Sequence, residues 1–556
     1  MMFPYETVAL SAAIAGAYNS PFDAETWLSD CTKTFIHVLI FICLPFAILN
    51  RLYFYPLLIS PLRDIPSAPQ APVHKRLLKE VRGLEPLQWL TNVPNRGLIR
   101  YFGLLNVECL FVTTPAAFKE ILDTKNYRWI KPPKSSSLFK LIIGDGLITL
   151  EGPHHKEQRK LLQSSFGFRQ IQDLYPTFWG KAIELLDCMT RGIGSRGSGD
   201  DAAVLDIQDW MGRAALDMIG LAGFGFKFDS VSNPEGELVR QYRRLFGIKP
   251  APVAQVLAHV IPTSLLRFLP IQALEDVRVS TGAIKAYLSK AIQEMRVTLA
   301  KTGGGQKPVV DRDVLSVAMR DAALSEQQLI DHAMTFLGAG QDTTAFALTC
   351  AVMELSQNPE LQERLRQEIR ANLPSPASPG FCADYPIDPA RLPWLTATVN
   401  ETLRCYPSVD AIGRVSLDAD AFVAGHRIPK GSIVNIPVGA VNRYGEFWSG
   451  SSFDPAKWCP ERWLDHDDGA KLNPTGGAVD PWVMMTFSRG ARQCIGERFA
   501  RAEMAVVLAA LVGRFRFELR GASGKGKPME DLDIFYGFTG CIAGGLWTGV
   551  EVVPGW

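Results

Sequence analysis

Hydrophobic positions along the chain fall into three regimes: one uninterrupted apolar run near the N-terminus, long stretches of helical periodicity, and short strand-like pieces before and after them. The run Thr34–Asn50, TFIHVLIFICLPFAILN, carries no charge between Lys33 and Arg51. At about 1.5 Å per residue it spans about 26 Å, close to the roughly 27 Å hydrocarbon core of an endoplasmic reticulum bilayer. Leu52, Tyr53, Phe54 and Tyr55 follow as an interfacial cluster. His37 and Pro45 interrupt the apolar pattern, and proline is tolerated in a membrane helix. The pattern predicts a transmembrane helix over about 34–50 within an N-terminal segment 1–55; a buried helix of a globular core is the competing reading. The run starts far from the first residue and lacks a small-x-small site, unlike a cleaved signal peptide.

Flanking charge gives the orientation. Glu6, Asp23, Glu25 and Asp30 precede the run against Lys33 alone, whereas Arg51, Arg63, Lys75, Arg76 and Lys79 follow it. Positive residues stay cytoplasmic, so the long C-terminal part is expected in the cytosol. Pro56, Pro61, Pro66, Pro69 and Pro72 then predict a stiff, non-helical hinge over 56–72.

Helical periodicity dominates from about Glu157 to Arg370, with Gly282–Ala300 and Leu329–Leu355 as clear cases. Strand-like pieces occur at Val107–Val112, Ala421–Val423, Ile433–Ile436 and Phe515–Leu519. The expected fold class is mainly α with small β-sheets, as one catalytic domain over 73–556. Gly303–Gly305 with Gln306 and Lys307 lacks the GK[ST] ending of a phosphate loop and reads as a surface linker. Of the 556 residues, 47% are hydrophobic and 21% charged, which excludes disorder as the main state. Lys+Arg 58 against Asp+Glu 57 leaves a net charge of +1 and no global field for nucleic acid, so none is expected as a partner. The 10 cysteines form no CxxC pair, which argues against a zinc ribbon, a thioredoxin-type site or a disulfide scaffold, and for reduced thiols.

The densest chemistry lies at Phe487-Ser488-Arg489-Gly490-Ala491-Arg492-Gln493-Cys494-Ile495-Gly496. Cys494 sits just before the apolar helical run Phe499–Leu511, where free N–H groups stabilise a thiolate. Gly490 and Gly496 let the backbone approach a flat ligand, and Arg492 can neutralise a carboxylate. A buried helix-capping cysteine is the bland alternative. The pattern F-x-x-G-x-R-x-C-x-G resembles the haem-binding signature of the cytochromes P450 at every defined position. The resemblance implies the cytochrome P450 fold and haem b, with Cys494 as the iron ligand and Phe487 and Arg492 at the cofactor.

Further segments resemble that family in the same order. Ala339-Gly340-Gln341-Asp342-Thr343-Thr344 interrupts an apolar helical run with poor helix formers. It is similar to the family's oxygen-binding groove, where Asp342 and Thr343 match the acid–alcohol pair that carries the catalytic roles. Glu401-Thr402-Leu403-Arg404, then Tyr406-Pro407 and Pro460-Glu461-Arg462-Trp463, resembles the buried Glu–Arg–Arg brace, with Trp463 where phenylalanine is usual. These residues are expected to be structural. Gly152-Pro153-His154-His155-Lys156-Glu157-Gln158-Arg159-Lys160 looks like the helix over one haem edge. Many members have tryptophan at the place of His155, so the resemblance points to Arg159 more than to His155 as a propionate partner, with Arg414 as another.

The resemblance implies chemistry as well. A thiolate on haem iron favours O–O cleavage, while the protein supplies orientation, proton delivery and exclusion of water. With no flavin or nicotinamide module in the sequence, the implied partner is a membrane-bound, NADPH-dependent flavoprotein reductase. The expected protein is a single-pass enzyme of the endoplasmic reticulum membrane with a cytosolic catalytic domain. By resemblance the pocket draws on Lys131–Ile143, Leu245–Leu269, Phe336–Ala339 and Val409–Ile412, which are rich in apolar residues and favour a lipophilic substrate. The chain is similar in style to filamentous-fungal members that tailor secondary metabolites such as polyketides or terpenoids. A haem-thiolate isomerase working without a reductase, and a silent haem-binding membrane protein, are the alternatives; the intact Asp342-Thr343 pair argues against both. Asn400-Glu401-Thr402 fits a glycosylation sequon but falls in an expected buried helix on the cytosolic side.

Overall fold

The computed structural model describes residues 32–77, 85–196, 203–247, 261–266, 271–301, 313–321, 324–376, 385–419, 421–469, 471–520 and 532–556, with Val81, Gly83, Ser378 and Phe381. The acidic N-terminal flank, the Gly303–Gly305 segment and most of 245–269 lie outside the described residues. The chain divides into two compact units, Met1–Asp64 and Ile65–Trp556.

Among its described residues the first unit contains one apolar helix, Thr32–Ile59. It is longer than the hydrophobic run suggests and passes through Pro45 and Pro56. Pro45 follows closely on wide π-type turns over Leu39–Cys43, and Pro56 lies within those over Asn50–Ile59, where the usual i→i−4 ladder is already interrupted. The nine residues 51–59, divided between interfacial cluster and hinge by the sequence pattern, are therefore helical.

In the second unit, Pro66–Gln70 runs beside strand β1 (Leu98–Phe102). Ala68 N–H donates to the Arg100 carbonyl at 2.8 Å, and Arg100 N–H donates back to Pro66. Part of the expected hinge thus belongs to the compact body. Strand β1 pairs antiparallel with β2 (Glu108–Val112) in a five-stranded sheet completed by β3 (Trp129–Ile130), β5 (Ala411–Ser416) and β8 (Ile433–Pro437), in the order β1-β2-β8-β5-β3. The β2–β8 pair is parallel, placing Cys109 opposite Ile433. Strand β4 (Ala203–Asp206), β12 (Trp547–Val552) and β9 (Phe515–Leu519) form a second sheet. Two hairpins, β6 (Ala421–Val423) with β7 (His426–Ile428) and β10 (Ile534–Tyr536) with β11 (Gly540–Ile542), complete the β structure.

The main core of this unit is built around helix Glu326–Gln357. It begins where it does because Ser325 and Gln328 form a reciprocal capping box, and it ends at Asn358 because Pro359 starts the next helix. Hydrophobic residues occupy all sides of it, as expected of a helix in the middle of a core. Helix Ile207–Phe224 packs closely along it: a Cβ on Gly340 would lie 2.9 Å from the Ile219 side chain. Helices Gln272–Lys301, Pro393–Cys405 and Glu497–Arg514 pack around the same core. The architecture is mainly α with small sheets, as the sequence pattern predicts.

Candidate active site

The central helix carries a local anomaly. From Leu329 to Ser356 every residue is buried except Ala339, Gly340, Asp342 and Thr343. Polar residues placed mid-helix therefore coincide with the one stretch of this helix that is not closed over by packing. Thr343 Oγ1 donates to the Ala339 carbonyl at 2.7 Å, an i−4 bond that competes with the helical ladder. Ser408 Oγ donates to the Thr343 carbonyl at 2.7 Å, tying the helix to the segment after Pro407. Gln341 points the other way, accepting from Tyr242 Oη at 2.9 Å and donating to the Gly212 carbonyl at 3.0 Å. Burial pushes the Asp342 carboxyl up to about 7, so this acid exchanges a proton near neutral pH.

Cys494 lies on the loop that enters helix Glu497–Arg514. Its N–H donates to the Phe487 carbonyl at 2.8 Å, closing the loop. Gly490 has φ +76, and a Cβ there would sit 2.3 Å from the Leu122 carbonyl oxygen, so only glycine fits. Cys494 is an exposed residue of this loop, and burial pushes its thiol above the ordinary range. The Gly496 N–H favours the thiolate, the Glu497 charge opposes it, and the Arg159 charge favours it again. Phe487 is partly buried against the main core, with the Arg501 guanidinium 5.2 Å from its ring centre.

Three elements bring basic side chains together near this loop. Arg492 is buried, its guanidinium 5.2 Å from the centre of the Tyr127 ring. Arg414, on β5, is also buried; burial and then the charge of Arg492 push it down to about 10. His155, on helix Gly152–Leu162, is buried 3.3 Å from Tyr127 Oη, and burial with Arg492, Lys131 and Arg159 around it lowers it to about 3, so it is neutral. Among the described residues, Arg492 Nε and Nη1 have no hydrogen-bond partner. Buried guanidinium donors without acceptors suit a ligand that brings carboxylates. Lys131 and Glu151 belong to the same cluster, and sequence reasoning missed their part in it. Glu151 directly precedes the Gly152-Pro153 motif, but no local spacing pairs it with Arg492.

The expected brace is present in the core. Arg404 Nε and Nη2 each donate to Glu401 at 2.8 Å, and Arg462 Nε donates at 3.0 Å, all with side chains fully buried. The Cys459 N–H adds a bond at 2.8 Å and the Trp463 indole N–H another at 2.9 Å. Burial alone would raise the Glu401 carboxyl; the Arg404 hydrogen bonds and the Arg404 and Arg462 charges outweigh it and hold it below the usual range. Trp463 is thus more than an aromatic substitute, because it supplies a donor that phenylalanine lacks. In the sequon Asn400-Glu401-Thr402, Thr402 is buried and Asn400 accepts a bond from Arg501 at 2.7 Å.

Comparison with known proteins settles the family. The cytochrome P450 family model matches residues 85–536, most of the chain. This chain belongs to the cytochromes P450. It is 35% identical over 523 residues to the cytochrome P450 monooxygenase sphH of Aspergillus fumigatus, covering 92% of each chain. It is 32% identical to the cytochrome P450 monooxygenase FUM15 of Gibberella moniliformis, over 90% of this chain and 91% of that one. This P450 is accordingly a monooxygenase, an oxidoreductase of a family that carries haem on a cysteine thiolate and takes electrons from a redox partner. Exposed Cys494 on its loop, and buried Arg492 with Nε and Nη1 lacking partners among the described residues, fit a ligand that brings carboxylates.

Proposed function

We propose that Cys494 would supply the thiolate that holds haem b in this P450, which oxidises a lipophilic small molecule with electrons from NADPH delivered by a flavoprotein reductase. The observation that carries the reading is the coincidence of Ala339, Gly340, Asp342 and Thr343 with the only unburied positions between Leu329 and Ser356. Phe487 and Gly490 shape the loop beneath the cofactor, and Arg492, Arg414 and Arg159 seat its propionates, with His155 contributing a neutral ring. When bound, haem ligated by thiolate activates dioxygen for insertion of one oxygen atom. The chain's own work is to deliver protons and exclude water. Asp342, poised near pH 7, takes up and releases the proton, and Thr343 presents its hydroxyl beside it.

Helix Pro133–Ile143 packs on the central helix, and Lys134 Nζ binds the Ile261 carbonyl at 2.7 Å, tying it to the segment 261–266. Phe139 packs against Phe538 with ring centres 4.5 Å apart. This apolar surround favours a lipophilic substrate, a secondary-metabolite intermediate such as a polyketide or terpenoid. Helix Thr32–Ile59 anchors the chain in the endoplasmic reticulum membrane with the body in the cytosol. The test is the carbon monoxide difference spectrum of the reduced protein beside Cys494→Ala, followed by NADPH and oxygen consumption against lipophilic candidates. A thiolate-type band that survives Cys494→Ala refutes the ligand assignment.

A further inference from the structure

Among the described residues, Glu151 is the one carboxylate that reaches the cations grouped around Arg492. Its Oε1 accepts the Lys131 N–H at 2.9 Å and lies 3.5 Å from the Lys131 ammonium, while its Oε2 meets Arg492 Nη2. One side chain therefore clamps two elements, the chain after β3 and the loop before Cys494. Lys131 is fixed from a second direction, since its ammonium donates to the Leu150 carbonyl at 2.9 Å. Glu151 caps helix Gly152–Leu162 by position but makes no side-chain bond to that helix's N–H groups, so capping does not account for it.

The charges explain why a carboxylate is needed. Lys131, Arg159, Arg414 and Arg492 bring four positive charges to one region, and Glu151 is the only acid that the Lys131 and Arg414 environments share. Burial and the neighbouring arginines drive the Lys131 ammonium down to about 8, with Glu151 opposing them. Burial would raise Glu151 itself, yet Lys131 and Arg492 hold it below its usual range, so it carries full negative charge. Arg492 still keeps Nε and Nη1 free of partners. The clamp thus uses one edge of the guanidinium and leaves the other for a ligand.

We propose that Glu151 is a positioning residue of the haem seat, orienting Arg492 and Lys131 towards the propionates and adding a fixed negative charge that lowers the haem reduction potential. This rests on the haem reading above. The test uses the full-length, haem-loaded protein and two substitutions of opposite charge effect, Glu151→Gln and Lys131→Met, with two readouts. The first is haem loss to excess apomyoglobin, expected to speed up about tenfold in Glu151→Gln, equivalent to about 1.4 kcal/mol. The second is the midpoint potential, expected to move positive in Glu151→Gln and negative in Lys131→Met, an opposition that general damage does not produce. Unchanged haem loss, or potentials that move together or not at all, in variants that keep the thiolate-type carbon monoxide band overturns the role of Glu151 while leaving the haem reading intact. A wild-type protein with no such band overturns both.

Discussion

Replacing Trp463 by phenylalanine isolates a single contact in the buried brace. The indole N–H donates to Glu401 Oε2 at 2.9 Å, and the ring is only 5% exposed. A hydrogen bond to a charged group contributes about 1.5–3 kcal/mol. Glu401 keeps its other donors from Arg404, Arg462 and the Cys459 N–H, so the lower end applies, about 1.5 kcal/mol. Replacing the indole by the smaller phenyl ring leaves roughly 40 Å³ beside Gly476 and Trp448, costing about 1 kcal/mol at about 24 cal/mol per Å³. The expected loss is therefore about 2–3 kcal/mol, less than the roughly 3–5 kcal/mol expected of Glu401→Ala, which strands two buried arginines. Urea titration followed by far-ultraviolet circular dichroism measures it, because the denaturation midpoint falls while the slope holds. The double variant Trp463→Phe with Glu401→Ala separates the two contributions: a coupling energy of about 1.5 kcal/mol is expected between the positions. A coupling below about 0.5 kcal/mol would refute the bond and reduce Trp463 to a space-filler.

Thr343→Ala removes one hydroxyl bonded to the Ala339 carbonyl, so stability should fall by about 1 kcal/mol while peroxide release rises against product, about tenfold for each 1.4 kcal/mol of lost partitioning. Coupled turnover unchanged in that variant would remove its catalytic role. Asp342→Asn should change the pH dependence of stability. The folded carboxyl is raised to about 7, so its contribution is present below about pH 4 and is lost as pH rises through 7. The asparagine variant should therefore gain on the wild type in thermal midpoint from pH 5.5 to 8.5, and parallel curves would show that Asp342 is not a desolvated acid. Deleting residues 1–64 should release the body from membranes with its haem retained, apart from residual association through exposed Leu265 and Ile271. Fractionation and haem content measure this, and a truncated protein that cannot hold haem would move the boundary.

Contiguous residues made most of the fold and the main motifs readable from the sequence. Helical and strand periodicities depend on local spacing, so Phe515–Leu519 and Ala421–Val423 appear as strands at the expected positions. The same holds for the cysteine loop and for the polar break in the central helix, each confined to a few residues. The ends of elements were less readable: Thr32–Ile59 outruns its hydrophobic run, because wide turns carry the chain past Pro56. Only tertiary structure decides which face of the central helix stays unburied, since that depends on what packs beside Ala339 and Asp342. It alone joins Lys131, Glu151 and Arg492, and it gives the Trp463 indole an acceptor on Glu401. These are pairings between distant segments, and a hydrogen bond or ion pair depends on distance and direction in space, which a linear pattern of residue types does not contain.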